Sequence, residues 1–455
     1  MIITGKRMKK ILIFILTGIV LNTAGLFAQA DSSALVLTID KAVSIALQNN
    51  YDIRIAQLSV QKAEEQITEA YSGAWPKLSL SGQYTRNLKS PVLFIPPNTP
   101  FNPSPNTLTF SIGAKNSYNL GVTLSQTIFD PRLGTAISIA KKYSKYSDLS
   151  NESAKDDVIA QVKESFYSVL LSKKLVDVNE QGYKVAQANY ENTGALYKQG
   201  AASEYDYLRA EVQLANVKPM LIEARNNLQL AKNALKNLLA LDLNTTIDVQ
   251  GEFKVEKVSQ DLMERSNEIL KDKNPALQQL SLQKLMLEEN VNIEKAAYLP
   301  TLSAFGNYDW QTQDNTFNFN NYNWANTITV GLSLTYTLFD GFKRSARIQQ
   351  AKIDVENLEV ARNKTEAGLR IGLMQSKLKM EEALDRIQAQ EKSVQQAQRA
   401  LEIAQTRYKE GVGTQLEILD TQNSLTQTRI NYEKAVYDFL VAKTEWEKVL
   451  GIITK

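Results

Sequence analysis

The sequence predicts a mainly α-helical chain with a smaller β component, built twice from one pattern: helix, strand, strand, very long helix, helix. Three observations carry this. Four runs, near residues 77–86, 117–129, 301–310 and 327–339, alternate apolar and polar residues with period two, the mark of a strand with one apolar face. A polar, Ala-rich stretch of roughly 70 residues follows the second run and another follows the fourth; at about 1.5 Å per residue each makes a helix about 100 Å long. Matching segments also recur. Tyr51 to Pro76 is echoed by Pro275 to Pro300 at an offset of 224, Phe129-Asp130 by Phe339-Asp340 at 210, and Leu196 to Gly200 by Arg407 to Gly411. Internal duplication at this length is itself a fold signal.

The chain opens with Lys6, Arg7, Lys9 and Lys10, an apolar run from Ile11 to Leu26, and Ala28-Gln29-Ala30. A charged start, an apolar stretch and an A-x-A site read as an export signal over residues 1–30, with the mature chain beginning at Asp31. Residues 31–240 then form the first repeat, 241–273 a connector, 274–451 the second repeat and 452–455 a tail.

Asp31 to Leu37 reads as a short polar lead. A helix starts at Thr38-Ile39-Asp40-Lys41, with Asp40 placed to cap it, and runs to about Tyr71 before Trp75 and Pro76 end it. The first strand sets Leu78, Leu80, Gly82 and Tyr84 against Ser79, Ser81, Gln83 and Thr85. Residues 87–117 hold six of the 11 prolines, among them Pro91, Pro96 and Pro103, and read as an exposed loop. The second strand places Tyr118, Leu120, Val122, Leu124 and Ile128 on one face and closes a hairpin over that loop.

Asp130 suits a helix cap and Pro131 the first helical position, and the long helix they open runs to Lys198. Gly200 breaks it. The next helix spans Ser203 to about Leu241, with a kink expected at Pro219. The connector contains a strand-like Ile247 to Val255 and a short helix from Gln260 to Leu270. In the second repeat Leu302, Ala304, Tyr308 and Trp310 share a strand face, a loop covers Gln311 to Asn326, and Ile328 to Leu338 alternates strictly. That last strand is expected to pass through Phe339-Asp340-Gly341 straight into a helix ending before Gly411.

Composition narrows the function. The chain has 0 Cys and 0 His, so it lacks a disulfide framework, a thiol nucleophile and the commonest general base. No catalytic constellation emerges, and the reading is of a non-enzyme with no cofactor. The net charge is +3, and four positive charges lie in residues 1–30, leaving the mature chain near 3 − 4 = −1, without a nucleic-acid footprint. No run after residue 30 approaches the roughly 20 apolar residues of a membrane helix. The four strands have the length to cross an outer membrane tilted. Alone in lipid they would leave two unpaired edges, each unpaired group costing several kcal/mol, so only a closed barrel is allowed. Either the chain does not enter a membrane, or several copies share one barrel, and three copies of four strands would make a barrel of 12. The helices agree with an assembly: Val394, Ala397, Leu401, Ala404 and Tyr408 form a seam spaced 3, 4, 3, 4, and Leu425, Tyr432, Val436, Phe439, Trp446 and Leu450 hold a similar register.

The duplication, the two Phe-Asp junctions, and Arg407-Tyr408-Lys409-Glu410-Gly411 followed by Leu416, Leu419, Asp420, Ala435, Leu440, Leu450 and Gly451 resemble the TolC-like outer membrane efflux family, over about Leu37 to Gly451. The resemblance implies a homotrimer in outer-membrane lipid: a 12-stranded barrel continued by a 12-helix periplasmic tunnel. It also implies that the helical tips dock on a periplasmic adaptor and an inner-membrane pump, giving a passive exit duct. By the same resemblance Glu417 and Asp420 form acidic rings at a constriction, favouring cations, and Asp206 and Arg209 hold the gate from the first-repeat tip. The first-turn acids equally complement a helix dipole, and Asp206 and Arg209 equally read as ordinary exposed charges. The tip turns, with Tyr197, Lys198, Gly200, Tyr408, Lys409 and Gly411, are the expected adaptor contacts. Trp75, Tyr84, Trp310, Trp324, Phe129 and Phe339 are candidates for interfacial aromatic girdles, the two Phe equally for packing at a sheet and helix junction. The alternative from another class is a trimeric surface scaffold or adhesin without an open lumen.

Overall fold

The computed structural model of the chain describes residues 34–453, so the export-signal reading and the last two residues lie outside it. The elements run β1 (Leu35–Leu37), α1 (Ile39–Asn49), α2 (Tyr51–Ser72), β2 (Lys77–Arg86), β3 (Val92–Ile95), β4 (Leu108–Ser111), β5 (Asn116–Phe129), α3 (Pro131–Lys198) and α4 (Glu204–Leu238). They continue as β6 (Ile247–Val249), α5 (Gln260–Glu264), α6 (Ser266–Lys273), α7 (Pro275–Ala296), β7 (Thr301–Asp314), β8 (Ala325–Thr335), α8 (Lys343–Lys409) and α9 (Gln415–Leu450). Among the described residues no helix is long and apolar enough to cross a membrane.

The two long helices organise the rest. Helix α3 has 68 residues and α8 has 67, each about 100 Å at the α-helical rise. Along α3 lie α2 and then α4 on one side, and α7 and then α9 on the other; α8 packs against the far side of α7 and α9. The result is a wall four helices wide, in the order α2/α4, α3, α7/α9, α8. The end-to-end stacking of short helices beside long ones is what their summed lengths suggest.

Strands β2, β5, β7 and β8 form one antiparallel sheet in that order. The register aligns one apolar face: Leu80 opposes Val122, Val122 opposes Tyr308, and Tyr308 opposes Ile328. The other face carries Ser81, Thr123, Asn307 and Thr329. The apolar face has nothing over it: Ile328 is 74% and Val330 79% exposed. Tyr84 stacks on Tyr118 at 4.8 Å, and Arg86 lies 5.1 Å over the Phe317 ring, an aromatic band at the loop end. At the helix end Trp75, Phe129 and Phe339 are exposed.

The apolar core sits at mid-height. One cluster joins Leu37, Ile53, Val162, Phe166 and Leu235; a second joins Leu270, Met380, Phe439, Trp446 and Leu450. A third, Leu401, Ala404, Ile418 and Leu425 with Val394, Ala397 and Tyr408 against it, is the seam read from the heptad spacing.

Several local expectations are corrected. The cap of α1 is Thr38, whose hydroxyl accepts from Lys41 N, and Asp40 lies inside the first turn. The first helix does not run unbroken to Tyr71. Asn50, at φ −60° and ψ 136°, ends α1 and caps α2 through Oδ1, while its Nδ2 donates to Leu238 O at 2.8 Å. Asn274 repeats the device before α7, accepting from Leu277 N and donating to Val449 O at 2.8 Å. Segment 35–37 is no polar lead but a strand pairing in parallel with Ile247–Val249, where the longer strand to Val255 was expected. The helix expected over 260–270 is two, α5 and α6. The proline segment is not all loop: β3 and β4 pair antiparallel within it, folded around the buried Asn102, whose Nδ2 donates to Ile95 O and Asn106 O. Prolines bound those strands rather than interrupt them. Strand β7 is longer than expected, and β8 stops at Thr335 rather than 339; Gly341 at φ 67° and Phe342 at φ 66° then turn the chain before α8. Asp130 caps α3 as read, accepting from Arg132 N at 3.0 Å. Helix α4 continues through Pro219.

Candidate gate at the helical turns

The chain reverses twice at the end of the wall away from the sheet, and the two reversals share one hydrogen-bond plan. After α3, Gly200 adopts φ 72°, its N–H donates to Tyr197 O at 2.9 Å and Ala201 N donates to Leu196 O at 2.8 Å. After α8, Gly411 also adopts φ 72°, donating to Tyr408 O at 3.0 Å, and Val412 N donates to Arg407 O at 3.0 Å. These left-handed closures satisfy the last carbonyls of each long helix, and glycine takes that conformation without Cβ strain. Ser203 then caps α4 by accepting from Asp206 N at 3.1 Å, and Thr414 caps α9 by accepting from Glu417 N at 3.3 Å.

The shared plan sets Asp206 beside Glu417 as equivalent first-turn acids, and Arg209 beside Asp420 one turn further. Asp206 accepts from Ser203 Oγ at 2.6 Å, closing a reciprocal cap, while the Arg209 guanidinium lies 5.4 Å over the Tyr205 ring. Asp206 and Arg209 thus each have a local partner within their own turn. Glu417 is half-buried and faces Arg407 Nε across the turn at 3.8 Å. Asp420 is exposed. Lys198 and Lys409 are the exposed last residues of their helices, Tyr197 is 40% exposed, and Tyr408 packs against the third core cluster.

The sequence reading missed what stiffens the first turn. Tyr207 stacks on both Tyr197 (5.5 Å) and Tyr190 (5.3 Å), and the Tyr190 and Tyr207 hydroxyls share a hydrogen bond of 2.7 Å, which pushes the Tyr190 phenol up. Gly194 makes room: a Cβ there would sit 3.1 Å from the Tyr207 ring. The regular tyrosine spacing was the available signal. Also missed is the polar seam behind the turns. Gln422 Nε2 donates to Gly182 O at 2.9 Å and Gln213 Nε2 to Asn423 Oδ1 at 3.1 Å, joining α9 to α3 and to α4. Asn189 Nδ2, Thr193 Oγ1 and both amide atoms of Gln415 are buried with no hydrogen-bond partner among the described residues. Left unpaired, each such group would cost about 1–3 kcal/mol.

A family model for outer membrane efflux proteins matches residues 42–241 and 268–451. The chain belongs to the outer membrane efflux protein family. This outer membrane efflux protein is 22% identical to the outer membrane protein TolC of Salmonella enteritidis over 462 residues, covering 99% of this chain and 87% of that protein. It is 22% identical to the cobalt-zinc-cadmium resistance protein CzcC of Cupriavidus metallidurans, covering 91% and 90%. The crystal structure of the Campylobacter jejuni CmeC outer membrane channel has the same fold, at TM-score 0.70 and 19% identity, over 91% of this chain and 85% of that one. The efflux protein is thus an outer membrane protein whose relatives are channels rather than enzymes.

Proposed function

We propose that this protein is the outer-membrane exit duct of a tripartite efflux or secretion system, assembled as a homotrimer. The observation that carries it is the four-stranded sheet, apolar on one face, polar on the other, and open at both edges, β2 and β8. Lipid demands that both edges be paired, and three copies joined β8 to β2 close a barrel of 12 strands with the polar face inside. The helical wall, whose edges are α2/α4 and α8, closes under the same symmetry into a tunnel of 12 helix widths in the periplasm.

In this reading the turns are the periplasmic mouth. Glu417 and Asp420 project there as acidic rings that favour cations and close the path, with Asp206 and Arg209 alongside. The unsatisfied seam of Asn189, Thr193 and Gln415 is where the hairpins separate on opening. Tyr197, Lys198, Gly200, Tyr408, Lys409 and Gly411 present the surface for the periplasmic adaptor, through which an inner-membrane pump drives the cargo. Relatives' names range from metal resistance to alkaline protease secretion, so the duct is the function they share and the pump sets the cargo. Native mass spectrometry in detergent tests the assembly: three copies of the mature chain are expected, and a monomer as the sole folded species refutes it. A deletion strain should accumulate a pump substrate and recover with the gene restored.

A further inference from the structure

A cavity of about 280 Å³ lies at mid-height in the wall, where α1, α3, α9 and the connector between β6 and α5 meet. Three ion pairs border it: the exposed Lys254 with Glu252 at 3.8 Å, and two that reach α9, Lys163 with Glu447 at 3.8 Å and Lys443 with Glu256 at 3.6 Å. All three separations exceed the roughly 2.7–3.2 Å of an N–H···O bond, so none of the pairs closes. The Lys163 and Glu447 side chains are only 13% and 21% exposed and bear the desolvation of two charges without the bond that would offset it.

Like charges also lie together. Burial pushes the Lys163 amine down, against the pull of the Glu447 carboxylate, with Lys443 adding a smaller push down; burial pushes the Glu447 carboxyl up, against the pull of Lys163 and Lys443, with Glu256 adding a smaller push up. Part of the lining is anchored in the core. Trp446, beside Glu447, is 1% exposed in the core, and Phe253 and Val255 anchor the connector while Glu252, Lys254 and Glu256, alternating with them, border the cavity. Four acids, Asp40, Glu252, Glu256 and Glu447, and three amines, Lys163, Lys254 and Lys443, line the cavity and offer groups of both signs to a molecule carrying one charge of each sign.

We propose that this cavity binds a small zwitterion, its ammonium between Glu447 and Glu256 and its carboxylate between Lys163 and Lys443. The chemical class is an amino acid or short peptide with both charges free. That chemistry has two sources, free solutes and the peptides of the cell-wall mesh; the second source, not the site, rests on the periplasmic placement proposed above.

Titration calorimetry of the purified full-length protein with alanylalanine tests it. One dipeptide per chain is expected, with N-acetylated and C-amidated forms each at least about tenfold weaker, since each loses one charge-assisted contact. Lys163→Met and Glu447→Gln should each weaken binding to the same degree. The double variant Lys163→Met, Glu447→Met removes both buried charges, so it should keep the wild-type melting profile and lose binding. No heat with alanylalanine, or affinity unchanged by blocking either end or by the double variant, overturns the site. Cosedimentation with isolated wall sacculi, competed by alanylalanine, assigns the ligand to the wall; dipeptide binding without cosedimentation assigns it to free solutes.

Discussion

Replacing Asn274 by alanine removes two hydrogen bonds that fasten opposite ends of the second repeat. Its Oδ1 caps α7 at Leu277 N, and its Nδ2 holds Val449 O, one of the last carbonyls of α9, which the helix itself leaves unpaired. Loss of a cap costs about 1 kcal/mol. A carbonyl left unsatisfied at a site only 4% exposed costs about 1–3 kcal/mol more. The sum is about 2–4 kcal/mol for Asn274→Ala, whereas Asn274→Ser keeps a capping oxygen and should lose about 1 kcal/mol less. Denaturant unfolding in detergent, followed by far-UV circular dichroism, reads both. Asn50→Ala should behave alike through Leu238 O. If the alanine and serine variants coincide, or both match wild type, these asparagines do not tie the helix ends as argued.

Three further outcomes follow from other contacts. Glu289 is held below its ordinary pKa of 4.5 by hydrogen bonds from Lys142, then Asn292 and Ser138, so its contribution is fully present above that value and lost as pH falls through the lower folded one. Glu289→Gln should flatten acid destabilisation in that window, measured by melting temperature against pH. Gly331→Ala drives a Cβ to 2.7 Å from the Phe305 ring on the polar sheet face and should cost about 1–3 kcal/mol; Phe305→Ala should restore heat-stable assembly on gels. Gly411→Ala meets no atoms within 4 Å, so only its φ of 72° is strained; a loss of about 1 kcal/mol is expected in denaturant unfolding.

The strands were legible because a sheet with one apolar and one polar face imposes period two on Leu78 to Tyr84 and on Ile328 to Leu334 without help from distant residues. The long helices were legible because nothing but their ends carries glycine turns, and Leu401, Ala404 and Leu425 hold a heptad seam. What escaped depends on partners far away in sequence. Leu35–Leu37 becomes a strand only because Ile247–Val249 lies beside it. Asn50 reads as an ordinary helix residue until Leu238 O is placed against its amide, although its recurrence as Asn274, at the offset of 224, carried the signal. At the turns Glu417 and Asp420 were read from the motif after Gly411 and Asp206 and Arg209 from the matching first-repeat turn, but their local partners there, Ser203 and Tyr205 among them, were not. The separated charges around Lys163 come from four elements and leave no pattern along the chain.

Single-channel recording in planar bilayers tests the central claim, a duct narrowed by acidic rings. The wild-type trimer should show a small, cation-selective conductance, and the Glu417→Ala, Asp420→Ala double variant should lose that selectivity and conduct more. Properly assembled trimers that form no channels, or a conductance and selectivity identical in both proteins, would contradict the account.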